Sequence, residues 1–188
     1  MASSRTRDMA YIALFVVLIT IGAKIVIPVP VCPFTLQLLF TTLAGTLLGS
    51  RRGSIVVLIY ILLGLMGVPV FATGGGFGYI FEPTFGYLIG FAVAAFATGL
   101  IVGQNPNTTS FSRILIACFI GLLIVYVVGM AYLYVITVYY LGTPMSFQTL
   151  IIYCFILAVP GDIVLCFLAS LMTKRLAHTI SKIAYGFY

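Results

Sequence analysis

Long apolar runs, separated by short polar or proline-rich connectors, dominate the chain. The runs cover about residues 9–27, 34–49, 54–67, 83–103, 111–141 and 147–174. Because a membrane-spanning helix needs about 20 apolar residues, the shorter second and third runs predict tilted or partial spans. The alternating strands of roughly ten residues that build a membrane barrel are absent. The pattern therefore predicts an all-α integral membrane protein with six transmembrane helices.

The connectors between the runs carry the residues that end helices. Three prolines in Pro28–Pro33 favour an extended turn, because proline interrupts helical hydrogen bonding. Ser50–Gly53 reads as a tight basic turn, GQNPNTTS as a polar loop, and Gly142–Ser146 as a turn with Pro144. The remaining connector, after the third run, is long and rich in glycine.

The basic residues predict the orientation of the helices. Six spans place the head, the connectors after the second and fourth helices, and the tail on one side of the membrane. Eight of the nine Lys and Arg residues fall there: Arg5, Arg7, Arg51, Arg52, Arg113, Lys174, Arg175 and Lys182. Positive charge marks the cytoplasmic side, so both termini are predicted to lie inside, and the glycine-rich loop between helices 3 and 4 outside.

Composition narrows the class of protein further. The chain is 63% apolar and 6% charged, with mean hydropathy +1.26, which leaves no room for a soluble domain. We expect one membrane domain over residues 1–188, with a cytoplasmic head at 1–8 and a tail at 175–188. The first apolar run lacks a clear cleavage site, so no removable signal peptide is predicted. The net charge of +6 is scattered over helix ends, which argues against nucleic-acid binding.

Chemistry based on cysteine, metal or a nucleophile finds little support. Of the four cysteines, three stand singly inside apolar runs, and the one histidine, His178, lies near the C-terminus. A metal site is therefore not expected. No nucleophile with a base appears, and no GxxxxGK[ST] motif for ATP. We predict no enzymatic activity, no catalytic residues and no cofactor.

The glycine-rich stretch Val68–Phe91 is the strongest candidate for a functional loop. It contains Gly74–Gly76 and Gly78, several aromatic residues and Glu82. Glycine lets a backbone turn sharply and a ligand approach closely, and aromatic rings form apolar walls. A plain surface loop with interfacial aromatics is the alternative, although such a loop needs neither this length nor this glycine content.

Three charges do not fit the surface rule: Lys24, Glu82 and Asp162. Lys24 and Glu82 are predicted at the outer ends of helices 1 and 4, and Asp162 in the middle of helix 6, beside Pro160 and Gly161. A carboxylate inside a membrane costs at least about 2.5–3.5 kcal/mol, so it usually lines a cavity or pairs with a partner. Two interpretations remain open. Lys24 pairs with one of the carboxylates, or these groups bind a polar solute from outside.

These features predict an apolar outer pocket with a few placed polar groups, the usual design of a small-molecule site. Its expected walls are Phe34, Phe77, Tyr79 and Tyr87. Its expected polar contacts are Thr35, Gln37, Glu82, Asp162 and the backbone of Gly74, Gly75 and Gly76. Thr35 is equally well explained as a helix N-cap, and the two tyrosines as membrane-interface residues.

Four segments together resemble the BioY family, the biotin-binding substrate (S) components of energy-coupling factor (ECF) transporters. They are ALFVVLITIGAKIVIPVPVCPFTLQ, LAGTLLGSRRG, LLGLMGVPVFATGGGFGYIFEPTFGYLIGF and VPGDIVLCFLAS. The resemblance runs from about Ala13 to Ser170. PFTLQ, the glycine-rich stretch and PGD are specific in combination, whereas each alone would be weak.

The resemblance implies a six-helix subunit that binds biotin near the outer face. It also implies a transmembrane coupling subunit and a pair of cytoplasmic ATPases as partners in the bilayer, with ATP used only by those partners. The residues that it carries over to biotin binding are Thr35, Gln37, Gly74–Gly78, Tyr79, Tyr87 and Asp162.

The chain departs from the family pattern at two places. Members often carry a lysine three residues after the aspartate of PGD, where this chain has Leu165. Lys24 is then the only cation expected near the carboxylate of biotin. The Ala-xxx-Ala packing motif of the first helix is here Ala13 followed by Val17, and the predicted contact with the coupling subunit consists of Ala10, Ala13 and Val17.

A solitary secondary transporter, coupled to protons through Glu82 or Asp162, is the rival function. The absence of an obvious internal repeat, which such transporters usually have, speaks against it. Co-purification with an ATPase pair would separate the two functions.

Overall fold

The computed structural model describes residues 2–27, 34–142, 152–156 and 158–185. Within these ranges the chain forms six α-helices: α1 Ala2–Lys24, α2 Gln37–Leu48, α3 Ser50–Leu65, α4 Phe85–Val102, α5 Phe111–Val135 and α6 Val159–Tyr185. Short elements connect them: an antiparallel pair of strands β1 Val26–Ile27 and β2 Phe34–Thr35, a 3₁₀ turn Phe77–Phe81, and π-helical segments Ile136–Tyr140 and Ile152–Ile156. The prediction of an all-helical membrane protein is confirmed.

Length and hydropathy divide the described helices into two groups. Four segments are long and apolar enough to cross a membrane: Thr6–Lys24, Phe85–Val102, Phe111–Tyr140 and Cys154–Ala177. The 12 residues of α2 extend only about 18 Å at 1.5 Å per residue, which is shorter than the hydrocarbon core of a bilayer.

The short helix α2 is the centre of the bundle. It contacts α1, α3, α4, α5 and α6, and ten of its twelve residues are buried. Its apolar side chains face other helices all round, as expected for a helix enclosed by protein. The site described below is built partly on its first residue, so the centre of the fold holds that residue in place.

Small residues let α2, α3 and α4 approach closely. A Cβ at Gly45 would lie 2.3 Å from Thr98 Oγ1, and one at Gly53 would lie 2.6 Å from the Cα of Gly45. Packing of this kind replaces the hydrophobic drive that is missing between helices in lipid. Gly49, with φ +82°, is the single residue that turns the chain from α2 into α3.

Several predicted boundaries are wrong. The first and last apolar runs predict helices that begin at about residue 9 and end at about residue 174, but α1 begins at Ala2 and α6 continues to Tyr185. The turn predicted at Ser50–Gly53 is made by Gly49 alone, because glycine adopts the required positive φ, and Arg51 and Arg52 lie in the first turn of α3.

The sixth helix also differs from its prediction. Asp162 lies in the first turn of α6, because α6 starts at Val159 after a π-helical segment rather than running unbroken past the aspartate. Pro160 fits this position, since the first turn needs no amide hydrogen there. The predicted start at residue 147, the Pro28–Pro33 connector and most of the Gly142–Ser146 turn lie outside the described residues.

Candidate functional site

A cavity of about 250 Å³ lies where α2, α4 and α6 begin. Residues of α5, of the glycine-rich loop and of the π-helical segment before α6 complete its wall. The lining residues are Phe34, Thr35, Gln37, Leu38, Ala72, Thr73, Tyr79, Glu82, Thr84, Tyr87, Leu88, Phe91, Val125, Tyr126, Cys154, Ala158 and Asp162. Aromatic and aliphatic side chains dominate, with a few polar groups among them, as in most small-molecule sites.

The structure brings together more than half of the predicted site residues. Seven line the cavity: Phe34, Thr35, Gln37, Tyr79, Glu82, Tyr87 and Asp162. Six do not: Lys24, Gly74, Gly75, Gly76, Phe77 and Gly78. They lie at the end of α1 or in the loop, and the side chain of Phe77 is 71% exposed. The predicted wall at Phe77 is therefore replaced by other side chains, chiefly Leu88, Phe91 and Tyr126.

Asp162 faces the cavity with one carboxylate oxygen already bonded. The hydroxyl of Tyr126, on α5, donates to Asp162 Oδ2 at 2.5 Å, and Asp162 is 9% exposed. The start of a helix favours a carboxylate, because its free amide groups carry partial positive charge. The tyrosine ring packs edge-on against Tyr87 and Phe155, which fixes its hydroxyl. Among the described residues, the other carboxylate oxygen has no side-chain hydrogen-bond partner.

Of the two interpretations left open for the three charges, the pairing of Lys24 with a carboxylate is wrong. The amine of Lys24, in the last turn of α1, donates to the backbone carbonyl of Phe71 at 2.6 Å. Asp162 is bonded to a tyrosine instead, and Glu82 is an exposed residue at the cavity. The physical reason is distance, because the glycine-rich loop brings the Phe71 carbonyl within hydrogen-bond range of the amine at the end of α1. Lys24 therefore anchors that loop.

Thr35 and Gln37 form a second polar corner of the cavity. The Thr35 hydroxyl donates to Gln37 Oε1 at 3.1 Å, and Gln37 Nε2 donates to the Tyr60 hydroxyl at 2.7 Å. Tyr60 in turn donates to the carbonyl of Val70 at 3.2 Å. Leu36 occupies the N-cap position of α2 without a side-chain cap, but the Thr35 hydroxyl accepts from the amide of Gln37, the first residue of α2, at 3.4 Å, so Thr35 contributes both to the helix start and to the cavity.

The glycine-rich loop folds around Phe71, which is fully buried. Its ring lies against Gly64 of α3 and 4.4 Å from the ring of Tyr79. The amide of Gly74 donates to the Phe71 carbonyl, and the amide of Gly76 to the Gly64 carbonyl at 2.7 Å. Two of the three amides expected to meet a ligand, those of Gly74 and Gly76, are thus bonded to other backbone groups, and none of the three glycines lines the cavity.

The positive φ angles of Gly74 and Gly76, +134° and +115°, explain the glycines of this loop. Other residues rarely adopt such angles, so the loop needs glycine to reverse its direction twice. This compact turn carries Ala72 and Thr73 to the cavity.

Sequence reasoning missed several lining residues, of which Tyr126 is the most important. It lies in a long apolar run, 36 positions before its partner Asp162, and no polar neighbour marks it. Ala72 and Thr73 lay inside the stretch that was singled out, but their residue types carry no distinctive chemistry. Only the fold shows that these residues meet.

The described part of the chain has six helices, and four apolar segments are long enough to cross a membrane. The helices surround a cavity that contains a hydrogen-bonded carboxylate and an amide. This combination defines a polytopic membrane protein with a small-molecule site. The sequence profile of the BioY family matches residues 1–182. The chain belongs to the BioY family. The resemblance seen in the sequence is therefore confirmed.

Individual relatives agree with this assignment. A probable biotin transporter BioY of Lysinibacillus sphaericus is 42% identical over 171 residues, which cover 91% of this chain and 87% of the relative. A probable biotin transporter BioY of Pyrococcus horikoshii is 41% identical over 118 residues, covering 62% and 73%. Bacteria and an archaeon thus both contain relatives, and they are named as transporters rather than enzymes.

A solved structure shares the fold over almost the entire chain. It is a crystal structure of the S-component for biotin from an ECF-type ABC transporter, with a TM-score of 0.79 and 26% sequence identity. The match covers 95% of this chain and 94% of the other. A multi-pass membrane transporter of the S-component fold is the class to which the chain belongs.

Proposed function

We propose that the chain binds biotin in the cavity and works as the S component of an ECF transporter, with a coupling subunit and an ATPase pair. The observation that carries the proposal is the Asp162 carboxylate in an aromatic cavity, on the fold of a biotin S component. The names of the relatives support the same ligand.

The chemistry of biotin suits the lining. Its ureido group has two N–H donors, and a buried carboxylate such as Asp162 accepts an N–H bond that is stronger than a bond between neutral groups. Tyr79, Tyr87 and Phe91 offer apolar walls for the fused rings and the aliphatic tail. A volume of about 250 Å³ lies just below the usual range of roughly 300–1,000 Å³, which favours a compact ligand over a large one.

Lys24 is the cation that we assign to the carboxylate of biotin. An ammonium has three donors, of which the carbonyl of Phe71 uses one. Phe71 directly precedes the lining residues Ala72 and Thr73, so its bond to the amine joins Lys24 to the segment that lines the cavity. Leu165, at the family's usual lysine position, is buried among apolar side chains and offers no donor.

The helix ends support six crossings with both termini inside. The cavity lies at the starts of α2, α4 and α6, whereas Arg51, Arg52 and Arg113 lie at the other end of the bundle, after α2 and α4. Because positive charge marks the cytoplasmic side, this arrangement supports an outer position for the cavity and the glycine-rich loop. Residues 1–188 then act as one membrane domain.

Uptake of labelled biotin in cells that lack their own transporter tests the proposed function. We expect uptake when this chain is produced with its coupling subunit and ATPases, and loss of uptake when the ATPases carry an inactive nucleotide site. Uptake that persists without active ATPases and collapses with the proton gradient would instead support a secondary transporter.

The coupling subunit is expected to contact the exposed face of α1. Ala10 and Ala13 are exposed there, and Val17 is 54% exposed in the same row. Because small side chains allow close helix contact in lipid, Ala13→Trp should weaken co-purification with the coupling subunit by about 10-fold while biotin binding persists. Leu123→Trp, at a 60% exposed position of α5, is the matched control. Equal loss of assembly in both variants would contradict this interface.

A further inference from the structure

Tyr60 touches two parts of the site without lining the cavity. Its side chain is fully buried on α3, and its hydroxyl stands between the Gln37 amide and the Val70 carbonyl. Its ring meets Phe71 edge-on at 5.4 Å. The hydroxyl therefore connects the start of α2 with the glycine-rich loop.

In the series of hydrogen bonds that runs from Val70 through Tyr60 to Gln37, the Val70 carbonyl fixes which group donates at each step. A backbone carbonyl only accepts, so the Tyr60 hydroxyl gives its single proton to Val70. Its oxygen must then accept from Gln37, which places Nε2 towards Tyr60. Reversing the amide would draw the Tyr60 proton to Gln37 and away from the buried Val70 carbonyl.

The same constraint on donors and acceptors extends from Gln37 to Thr35, which lines the cavity. With Nε2 towards Tyr60, the amide oxygen of Gln37 lies on the side of Thr35, and an amide oxygen only accepts. The Thr35 hydroxyl must therefore donate its proton to Gln37 Oε1. The Thr35 oxygen also accepts from the backbone amide of Gln37 at 3.4 Å, so one lone pair remains for a ligand on each of the two oxygens of this corner, just as one carboxylate oxygen remains at Asp162.

We infer that Tyr60 is a positioning residue that sets the polarity of the Thr35–Gln37 corner, so that this corner selects a ligand N–H donor. The inference rests on the proposed binding of biotin, whose ureido group supplies two such donors. One ureido N–H then meets Asp162 and the other meets the Thr35–Gln37 corner. Selectivity for the ureido group is thus partly decided by a tyrosine that the ligand does not touch.

The test compares biotin with two analogues that carry a methyl group on one or the other ureido nitrogen. Oxybiotin, which keeps both N–H groups and changes only the ring sulfur, is the control ligand. Wild-type protein should bind each methylated analogue at least about 10-fold more weakly than biotin, because each loses one buried hydrogen bond. Oxybiotin should lose much less.

Tyr60→Phe removes the hydroxyl that orients Gln37, so the amide is free to turn. For one methylated analogue, the loss of affinity relative to biotin should fall to about 3-fold or less. For the other analogue, whose methylated nitrogen faces Asp162, the loss should stay as in wild type. A purely structural tyrosine would weaken all ligands equally and leave both ratios unchanged. Tyr132→Phe is the matched control, since that hydroxyl also bonds a loop carbonyl, at Ile80, without contacting Gln37.

Gln37→Glu provides a second test that does not depend on how well Tyr60→Phe folds. It keeps oxygen at the cavity and removes the amide donor, so discrimination against the methylated analogues should be at least that of wild type. Loss of discrimination in Gln37→Glu, or an unchanged pair of ratios in Tyr60→Phe, overturns the inference. Wild-type protein that binds biotin but ignores methylation also overturns it, whereas wild-type protein that does not bind biotin refutes the proposed function itself.

Discussion

Asp162→Asn should lower the affinity for biotin roughly 5- to 150-fold and leave the protein folded. Asparagine keeps the size and one acceptor oxygen, so Tyr126 retains a partner, but the charge-assisted bond to a ureido N–H becomes neutral. Losing such a bond in a buried site costs about 1–3 kcal/mol, which sets the expected range. Affinity by equilibrium titration and the midpoint of thermal unfolding, measured on the same preparations, separate binding from stability.

Tyr126→Phe is the matched variant for this prediction. It removes the hydroxyl that bonds Asp162 Oδ2 and leaves a buried carboxylate with one partner fewer, so both stability and affinity should fall. Because the two residues are in contact, the double variant should lose less affinity than the sum of the two single losses. Asp162→Asn protein that binds biotin as wild type does would exclude a binding role for the carboxylate.

Gly64→Ala should destabilise the protein and abolish most biotin binding. A Cβ at this position would lie 2.0 Å from Cζ of Phe71, so the fully buried ring has to leave its place. Overpacking of this kind costs about 1–3 kcal/mol, and expelling a buried phenylalanine costs more. The loop that carries Ala72 and Thr73 moves with Phe71, which opens the cavity.

Gly78→Ala is the control within the same loop. A Cβ there meets no atom within 4 Å, so the midpoint of thermal unfolding and the affinity for biotin should stay close to wild type. If Gly64→Ala behaves like Gly78→Ala in both measurements, the packing of Phe71 does not hold the cavity closed.

The helices could be predicted from the sequence because lipid imposes a simple rule on them. Backbone groups in a bilayer must bond within the helix, so each long apolar run becomes a helix, and glycine or proline marks the ends. The boundaries were less predictable. Gly49 alone makes the turn that was predicted at the basic residues after it, and a π-helical segment precedes the start of α6 at Val159.

The polar residues of the site could be predicted because charges and amides are rare in this chain. Asp162 stood out on that ground, and Gln37 by its place at the start of the second apolar run. Tyr60 and Tyr126 did not, because a tyrosine in an apolar run looks the same whether its hydroxyl meets lipid headgroups or a carboxylate. Only the packing of α3 and α5 shows which partner each one has.

The glycine-rich loop shows why aromatic walls were only partly predicted. A loop has no helical or strand period, so its sequence does not indicate which rings face inward. Gly74 and Gly76 reverse the chain through positive φ angles, and this geometry buries Phe71 while it leaves Phe77 exposed. The partner of Lys24 depends on the same geometry, because the reversal brings the Phe71 carbonyl within hydrogen-bond distance of the Lys24 amine.

Binding of radiolabelled biotin to the purified protein is the most direct test of the proposed ligand. We expect one saturable site per chain that thiamine and riboflavin do not compete for, because their rings do not match a corner and a carboxylate that both accept from a ureido group. Non-saturable binding of biotin, or equal competition by thiamine or riboflavin, would contradict it.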